Sequence, residues 1–282
     1  MEQSKDTNVK TTIDAITGLV QAVPIYQDTL QPAAKQVGKS LETVAKTVNI
    51  ALAPIKALVW GYEKIEEFIS TRVSEKLKNV PEQNIKTPPP EVAGPAIEAL
   101  RFSGHDINLR ELYANLIATS MDISTVHHAH PGFVEVLKNM TSDEAILIKA
   151  FLYREIFPLI DIRAKLKDET GFSVKYQNYS HFHKTVKLNR PDLIPAYLNN
   201  LCRLGILEIP ALVTITTENI YEPLENDQEL DDAKFKIESE MGRVVGFGRK
   251  TISLTTFGKQ FVQNVVKEKG EIVPAAPQSP QL

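Results

Sequence analysis

The sequence predicts a mainly α protein: an N-terminal helical region and helical bundle, followed by a winged-helix-like α+β module. Three observations carry this. Apolar residues recur at steps of three and four through most of the first 140 positions, the period of one helix face. Short alternating runs, which suit half-buried strands, are confined to the second half. There, two helical patterns are followed by a two-stranded pattern and a closing helix, the order of a winged helix.

The elements group into four segments. Residues 1–80 are an N-terminal amphipathic helical region, and 81–140 a proline-rich connector and helical bundle. Residues 141–268 are the winged-helix-like module with an acidic insertion, and 269–282 a disordered tail. In the first segment Ile13, Ile16, Leu19, Val20 and Val23 mark a short helix, and Val37, Leu41, Val44 and Val48 a second. Pro54 interrupts the pattern. Leu58, Tyr62, Ile65, Phe68, Ile69, Val73 and Leu77 then form a long apolar stripe, with Lys64, Glu66, Glu67 and Arg72 mostly off it. Pro81 and the run Pro88-Pro89-Pro90 read as a stiff connector. A helix is expected from Pro95 to about Phe102, and another on Leu109, Leu112, Tyr113, Leu116 and Ile117.

After a loop over 122–131, Phe133, Val136, Leu137 and Met140 give a short helical stripe. Thr141-Ser142-Asp143-Glu144 is a capping box that opens the next helix. Residues 160–190 are ambiguous, and 171–179 reads as strand or loop. Pro191 starts a helix that Gly205 ends. Residues 206–209 and 213–216 read as strands. Residues 222–232 hold six acids and no base, a solvated excursion, and a helix follows to about Met241. Residues 243–247 and 251–254 read as two strands joined around Gly248, before a helix over 256–266.

Composition bounds the function. The 282 residues are 43% hydrophobic and 24% charged, ordinary for a globular chain. The charge sum of 32 − 35 = −3 excludes a chain that grips nucleic acid by bulk charge. Cys202 is the single cysteine, which excludes an internal disulfide and a cysteine-rich zinc site. The polar start Met1-Glu2-Gln3-Ser4 has no apolar run behind it, so no secretory leader is expected. The most apolar stretch, 48–62, is broken by Asn49, Pro54 and Lys56 and falls short of the ~18–20 residues that span a bilayer. A cytoplasmic location is expected, with peripheral contact to the inner membrane left open.

No residue pattern points to catalysis. His127, His128 and His130 lack the spacing of a metal motif, and His181 with His183 reads as a structural pair. Gly242, Gly246 and Gly248 match no phosphate-binding loop and suit a hairpin turn. Cys202 falls among apolar neighbours, as a buried thiol does. No catalytic residue, metal or cofactor is expected. Two surfaces remain. Leu58, Trp60, Tyr62 and Ile65 are candidates for contact with a membrane or a partner, against the competing reading that the stripe is core. Arg190, Arg203, Arg243, Arg249 and Lys250 are candidates for phosphate contact if the module binds nucleic acid.

The chain resembles the abortive-infection alpha (Abi-alpha) proteins of bacteria, a domain of unknown function. The resemblance is carried by Ala53-Pro54-Ile55-Lys56-Ala57-Leu58-Val59-Trp60-Gly61-Tyr62, Pro88-Pro89-Pro90 and Ala93-Gly94-Pro95-Ala96-Ile97. It continues in Leu109-Arg110-Glu111-Leu112-Tyr113-Ala114-Asn115-Leu116, His130-Pro131-Gly132-Phe133-Val134 and Ile252-Ser253-Leu254-Thr255-Thr256-Phe257-Gly258-Lys259. It implies a role in defence against phage, in which infected cells stop growing or die, and it brings no catalytic residues. Two function classes follow. One is a non-enzymatic effector or sensor that acts through self-association, another protein or the membrane surface. The other is a winged-helix regulator that binds DNA. Neither names the phage trigger.

Overall fold

The computed structural model describes residues 61–168 and 170–269, with Tyr62 described by its backbone alone. The helices expected before residue 61, the tail from 270, and the candidates Leu58 and Trp60 lie outside the described residues.

The first described helix, α1, runs from Tyr62–Phe68 through a π turn at Ile69–Val73 into Ser74–Leu77. Its stripe of Ile65, Phe68, Ile69, Val73 and Leu77 is buried. Ile65 is 1% exposed, which corrects its candidacy for a membrane or partner surface: its side chain is core. After a 3-10 turn at Glu82–Asn84, Ile85 bridges to Asp122. The next helix, α2 (Pro90–Ser103), starts earlier than the expected Pro95. Gly94-Pro95 reads locally as a break. Burial of Val92, Ala93, Ala96, Ile97 and Leu100 along one face offsets the backbone hydrogen bond that Pro95 cannot make.

α3 (Ile107–Met121) is capped by Asp106, whose side chain accepts from the amides of Asn108 and Leu109. Its seam residues Leu112, Tyr113, Leu116 and Ile117 are fully buried. α4 (Gly132–Lys138) follows, and α5 (Ser142–Leu147) begins at the expected capping box of Thr141 and Glu144 and tightens into a 3-10 turn at Ile148–Leu152.

Four strands then form one antiparallel sheet: β1 (Ile156–Leu166), β2 (Phe172–Tyr179), β3 (Leu207–Glu208) and β4 (Arg243–Leu254), in the order β2-β1-β4-β3. The fold is therefore α+β. β1 and β4 pair along their length, from Ile156 opposite Ser253 to Leu166 opposite Arg243. The two strands expected within 243–254 are one. Gly246 and Gly248 lie in its interior because side chains cross there: a Cβ at Gly248 would collide with the Arg163 guanidinium, and one at Gly246 with the Lys165 stem. The strand expected at 213–216 is irregular chain; Leu212 turns it aside at φ 61°, and the Ile215 amide donates to the Tyr221 hydroxyl at 2.9 Å.

Between β2 and β3 lie α6 (Phe182–Thr185) and α7 (Ile194–Arg203), the latter after a 3-10 turn at Pro191–Leu193. Gly205, at φ 74°, ends α7 as expected. Its amide reaches the Cys202 carbonyl and the Ile206 amide the Leu201 carbonyl, both at 3.0 Å. The segment between β3 and β4 carries α8 (Glu222–Glu225), a 3-10 turn at Gln228–Leu230, and α9 (Asp231–Ser239). It is not a wholly solvated excursion: Tyr221, Leu224, Leu230 and Ile237 pack on Ile160, Ile162 and Ala164 of β1.

The chain closes with α10 (Thr256–Phe261), which widens into a π turn at Val262–Val266. The Asn115 side chain donates to the Val265 carbonyl at 2.9 Å, and Thr119 to that of Asn264 at 2.8 Å. One apolar cluster thus runs from Ile65 to Val266 and joins the helices to the near end of the sheet.

Candidate functional site

A dense polar cluster lies where the 209–242 insertion meets the end of β2. Tyr179 ends β2, His181 caps α6, and His183 and Lys184 lie within it. Asp227 sits between α8 and the 3-10 turn at Gln228–Leu230, 8% exposed, and its side chain accepts from the Glu229 amide at 3.1 Å. The Tyr179 hydroxyl donates to Asp227 at 2.8 Å, and His181 and Lys184 reach the same carboxylate oxygen. His183 faces Glu229 at 3.0 Å.

Burial opposes the charge of Asp227, but hydrogen bonds from Lys184, the Glu229 amide, Tyr179 and His181 outweigh it and hold the carboxyl far below the usual range. Burial, and then the hydrogen bond to Asp227, push the Tyr179 hydroxyl up, so it stays protonated. A carboxylate held by this many donors is a poor base and a poor nucleophile. The arrangement is a latch. It fastens the insertion to the sheet between two clefts, one of about 260 Å³ beside Tyr176, Glu229 and Lys236, the other of about 220 Å³ beside Arg154, His181 and Leu224.

A second hub, Asp143, accepts from the Asn189 and Arg190 amides, the Asn189 side chain and the Tyr197 hydroxyl. Despite burial, those bonds lower its pKa; burial and Asp143 push Tyr197 up to about 12. This hub ties the start of α5 to the start of α7.

The five candidate cations do not converge. Arg190 precedes α7 and makes a bidentate pair with Asp192, at 2.9 and 2.6 Å. Arg203 ends α7 and donates to the Asn200 side chain. Arg243 approaches Glu240 at 4.0 Å. Arg249 grips Glu225 at 2.6 and 2.9 Å, and Lys250 sits 2.6 Å from Asp161 on the opposite face of β4. The exposed positions of the 191–203 stretch include Asp192, Leu193, Ala196, Asn199 and Arg203, which is not a basic surface. Tyr62 lies on α1.

The remaining motifs have other partners. His130 accepts from the Gly132 amide at 2.9 Å and meets Phe257 edge-on, while His127 and His128 lie against each other. Burial raises the pKa of Cys202, which keeps its thiol protonated. Among the described residues no group of three His, Cys, Asp or Glu could hold a metal ion, and no helix is long and apolar enough to cross a membrane. Sequence reading singled out His181 and His183 but missed Asp227, whose role depends on a fold-back from more than 40 residues away.

A family model described as abortive infection alpha matches residues 61–265. Among solved structures, an uncharacterized protein from the hydrocarbon-degrading marine bacterium Alcanivorax borkumensis SK2 matches at 23% identity. It covers 48% of this chain and 93% of its own, with a TM-score of 0.34, too low to carry an argument. No curated protein matches.

Proposed function

This chain belongs to the abortive infection alpha family, and from that premise we propose that it is a non-enzymatic anti-phage protein whose second half is a protein-contact module. The observation that carries this reading is the pairing of the candidate cations. Arg190, Arg249 and Lys250 each contact a carboxylate of the chain itself, and Arg243 lies at the limit of such contact. Phosphate contact would have to displace these acids, and acids repel a polyanion. That weighs against a DNA-binding regulator. The winged-helix reading is supported by connectivity. β1, β4 and β3 are neighbours, and α6 and α7 lie between β1 and β3, with β2 and the 209–242 insertion as additions.

The effector end in this reading is the segment before α1, which contains Leu58 and Trp60 and acts by self-association or membrane contact. From Ile65 onward the stripe serves the core. The test is phage-challenge plating of wild type against a deletion of residues 1–60. A deletion of 1–80 would remove buried Ile65, Val73 and Leu77 and report only unfolding. The shorter deletion should keep a cooperative thermal unfolding transition and lose protection; retained protection would overturn the proposal. A gel-shift assay with duplex DNA should show no specific complex.

A further inference from the structure

We propose that the free edge of β2 receives an extended acidic segment of a partner protein as an added strand. The inference rests on the protein-contact reading and names the chemistry of the partner. Among the described residues β2 is an outer strand of the sheet, paired only with β1. Residues 172–177 are exposed at every position, with Phe172 at 54%, Val174 at 37% and Tyr176 at 46%. A covered edge would not leave them so.

The backbone geometry suits pairing. The Leu166 amide donates to the Gly171 carbonyl at 2.9 Å. Hydrogen bonding alternates along an antiparallel ladder, so Ser173 also faces β1 while the N–H and C=O groups of Phe172 and Val174 point to the open side. Sheet edges are commonly blunted by proline, a bulge or a lysine. Here one register shift falls between Val174 and Tyr176 and the other between Tyr176 and Tyr179, β2 has no proline, and its one lysine, Lys175, is tied to Glu240 at 2.8 Å. The 172–174 stretch is left open.

Charge selects the occupant. Arg163 lies opposite Val174 and Lys165 opposite Phe172, which puts all four side chains on one face. The Arg163 guanidinium lies 4.3 Å from the centre of the Phe172 ring, and its buried Nε has no hydrogen-bond partner. The side chains of Arg163 and Lys165 cross the glycine floor of β4, and among the described residues neither meets a carboxylate. An added strand with acids alternating with apolar residues would pack on Phe172 and Val174 and feel the field of the two cations that lie behind Phe172, over β4. A second copy of this chain, paired about a two-fold axis, would bring the same cationic faces side by side. A nucleic acid would use the cations and leave the row of strand amides unanswered. Strand addition draws on both.

The test uses the full chain and a labelled peptide of about eight residues with alternating Glu and Val, followed by fluorescence anisotropy and by hydrogen exchange over 171–179. A peptide with Lys in place of Glu and a poly-dT oligonucleotide serve as comparisons. The acidic peptide should bind and protect 171–179. Val174→Pro, which removes an outward donor, and Lys165→Glu should each weaken it roughly tenfold, about 1.4 kcal/mol. If Val174→Pro does not fold, Lys165→Glu with Phe172→Ala decides. Absence of binding, equal binding of the basic peptide, or binding that Val174→Pro does not change would overturn the proposal. So would oligonucleotide binding in place of peptide, or a dimer abolished by Val174→Pro. These failures leave the plating experiment standing, because it alters residues 1–60 and not β2.

Discussion

In the helical layer, Tyr113, Phe133, Phe151 and Phe261 are buried within one apolar cluster that reaches from α1 to the closing π turn. The far half of the sheet has only the smaller cluster of Ile160, Ile162 and Ala164 under Tyr221, Leu224 and Leu230, and polar contacts fasten its insertion. Apolar burial is non-directional and scales with area, so the first region is stabilised by many contacts that tolerate small shifts. Hydrogen-bonded ion pairs contribute less on balance and fail when one partner is lost. The first region is thus the scaffold. The second is held by fewer and more directional contacts, and it carries the latch at Asp227 and the outer strand β2.

The largest effect should come from the scaffold. Leu116 is fully buried on α3, and Leu116→Ala should cost roughly 2–5 kcal/mol, read as a lower urea midpoint. Leu230→Ala, in the smaller cluster, should cost less and loosen 209–242 first. Equal losses would erase the distinction between the regions. The next effect is steric. A Cβ on Gly258 would overlap the Ile206 carbonyl, a backbone group that cannot rotate away. Gly258→Ala should therefore cost about 1–3 kcal/mol, and an unchanged melting temperature would show that α10 slides freely.

The same contrast explains how much could be read in advance. The helices of the first region follow a single period, so the seam of Leu112, Tyr113 and Leu116 and the capping box at Thr141 were visible in the residues. Strand β1 alternates cleanly from Ile160 to Leu166, apolar residues against Asp161, Arg163 and Lys165, so that part was legible within the stretch read as ambiguous. Pro158 and the adjacent apolar pair Leu159-Ile160 hide its start, and its pairing partners come from distant elements. In β4 the glycines read as a turn, since the side chains of Arg163 and Lys165 that cross them lie about 80 residues away. The alternating 213–216 had a strand pattern without a strand beside it. Candidate cations were recognisable by type, whereas Glu225 and Asp161 became their partners only on folding.

Within the second region, Asp227 should matter more than any surface charge. Asp227→Asn keeps the shape and removes the charge that Lys184, His181 and Tyr179 share. A loss of about 1–2 kcal/mol is expected. Faster hydrogen exchange should be confined to the insertion and 179–184, with α3 unchanged. The pH dependence has a definite sign. Asp227 and Asp143 both have lowered pKa values in the folded chain. Their stabilisation is complete above the unfolded carboxylate value of ~3.9 and is lost as pH falls through the folded values. Urea midpoints should be flat above about pH 5 and decline below about pH 4. Asp227→Asn should make that decline shallower, and an identical slope would mean that Asp227 does not hold the latch.

The smallest effect should come from the Arg249–Glu225 pair, which tests whether geometry alone makes an ion pair strong. Its two contacts, at 2.6 and 2.9 Å, form the bidentate arrangement that favours arginine over lysine. The Arg249 side chain is nevertheless 53% exposed, so water and salt screen the attraction and the ordered side chain loses rotamer freedom. A double-mutant cycle with Arg249→Ala and Glu225→Ala should give a coupling below about 1 kcal/mol, falling further in high salt. Asp227 differs by its burial and by its number of donors, not by shorter contacts to one partner. A coupling for Arg249–Glu225 as large as the Asp227→Asn loss would show that the insertion is held at two comparable points. Opening it would then require both to release, and the latch at Asp227 could not act alone.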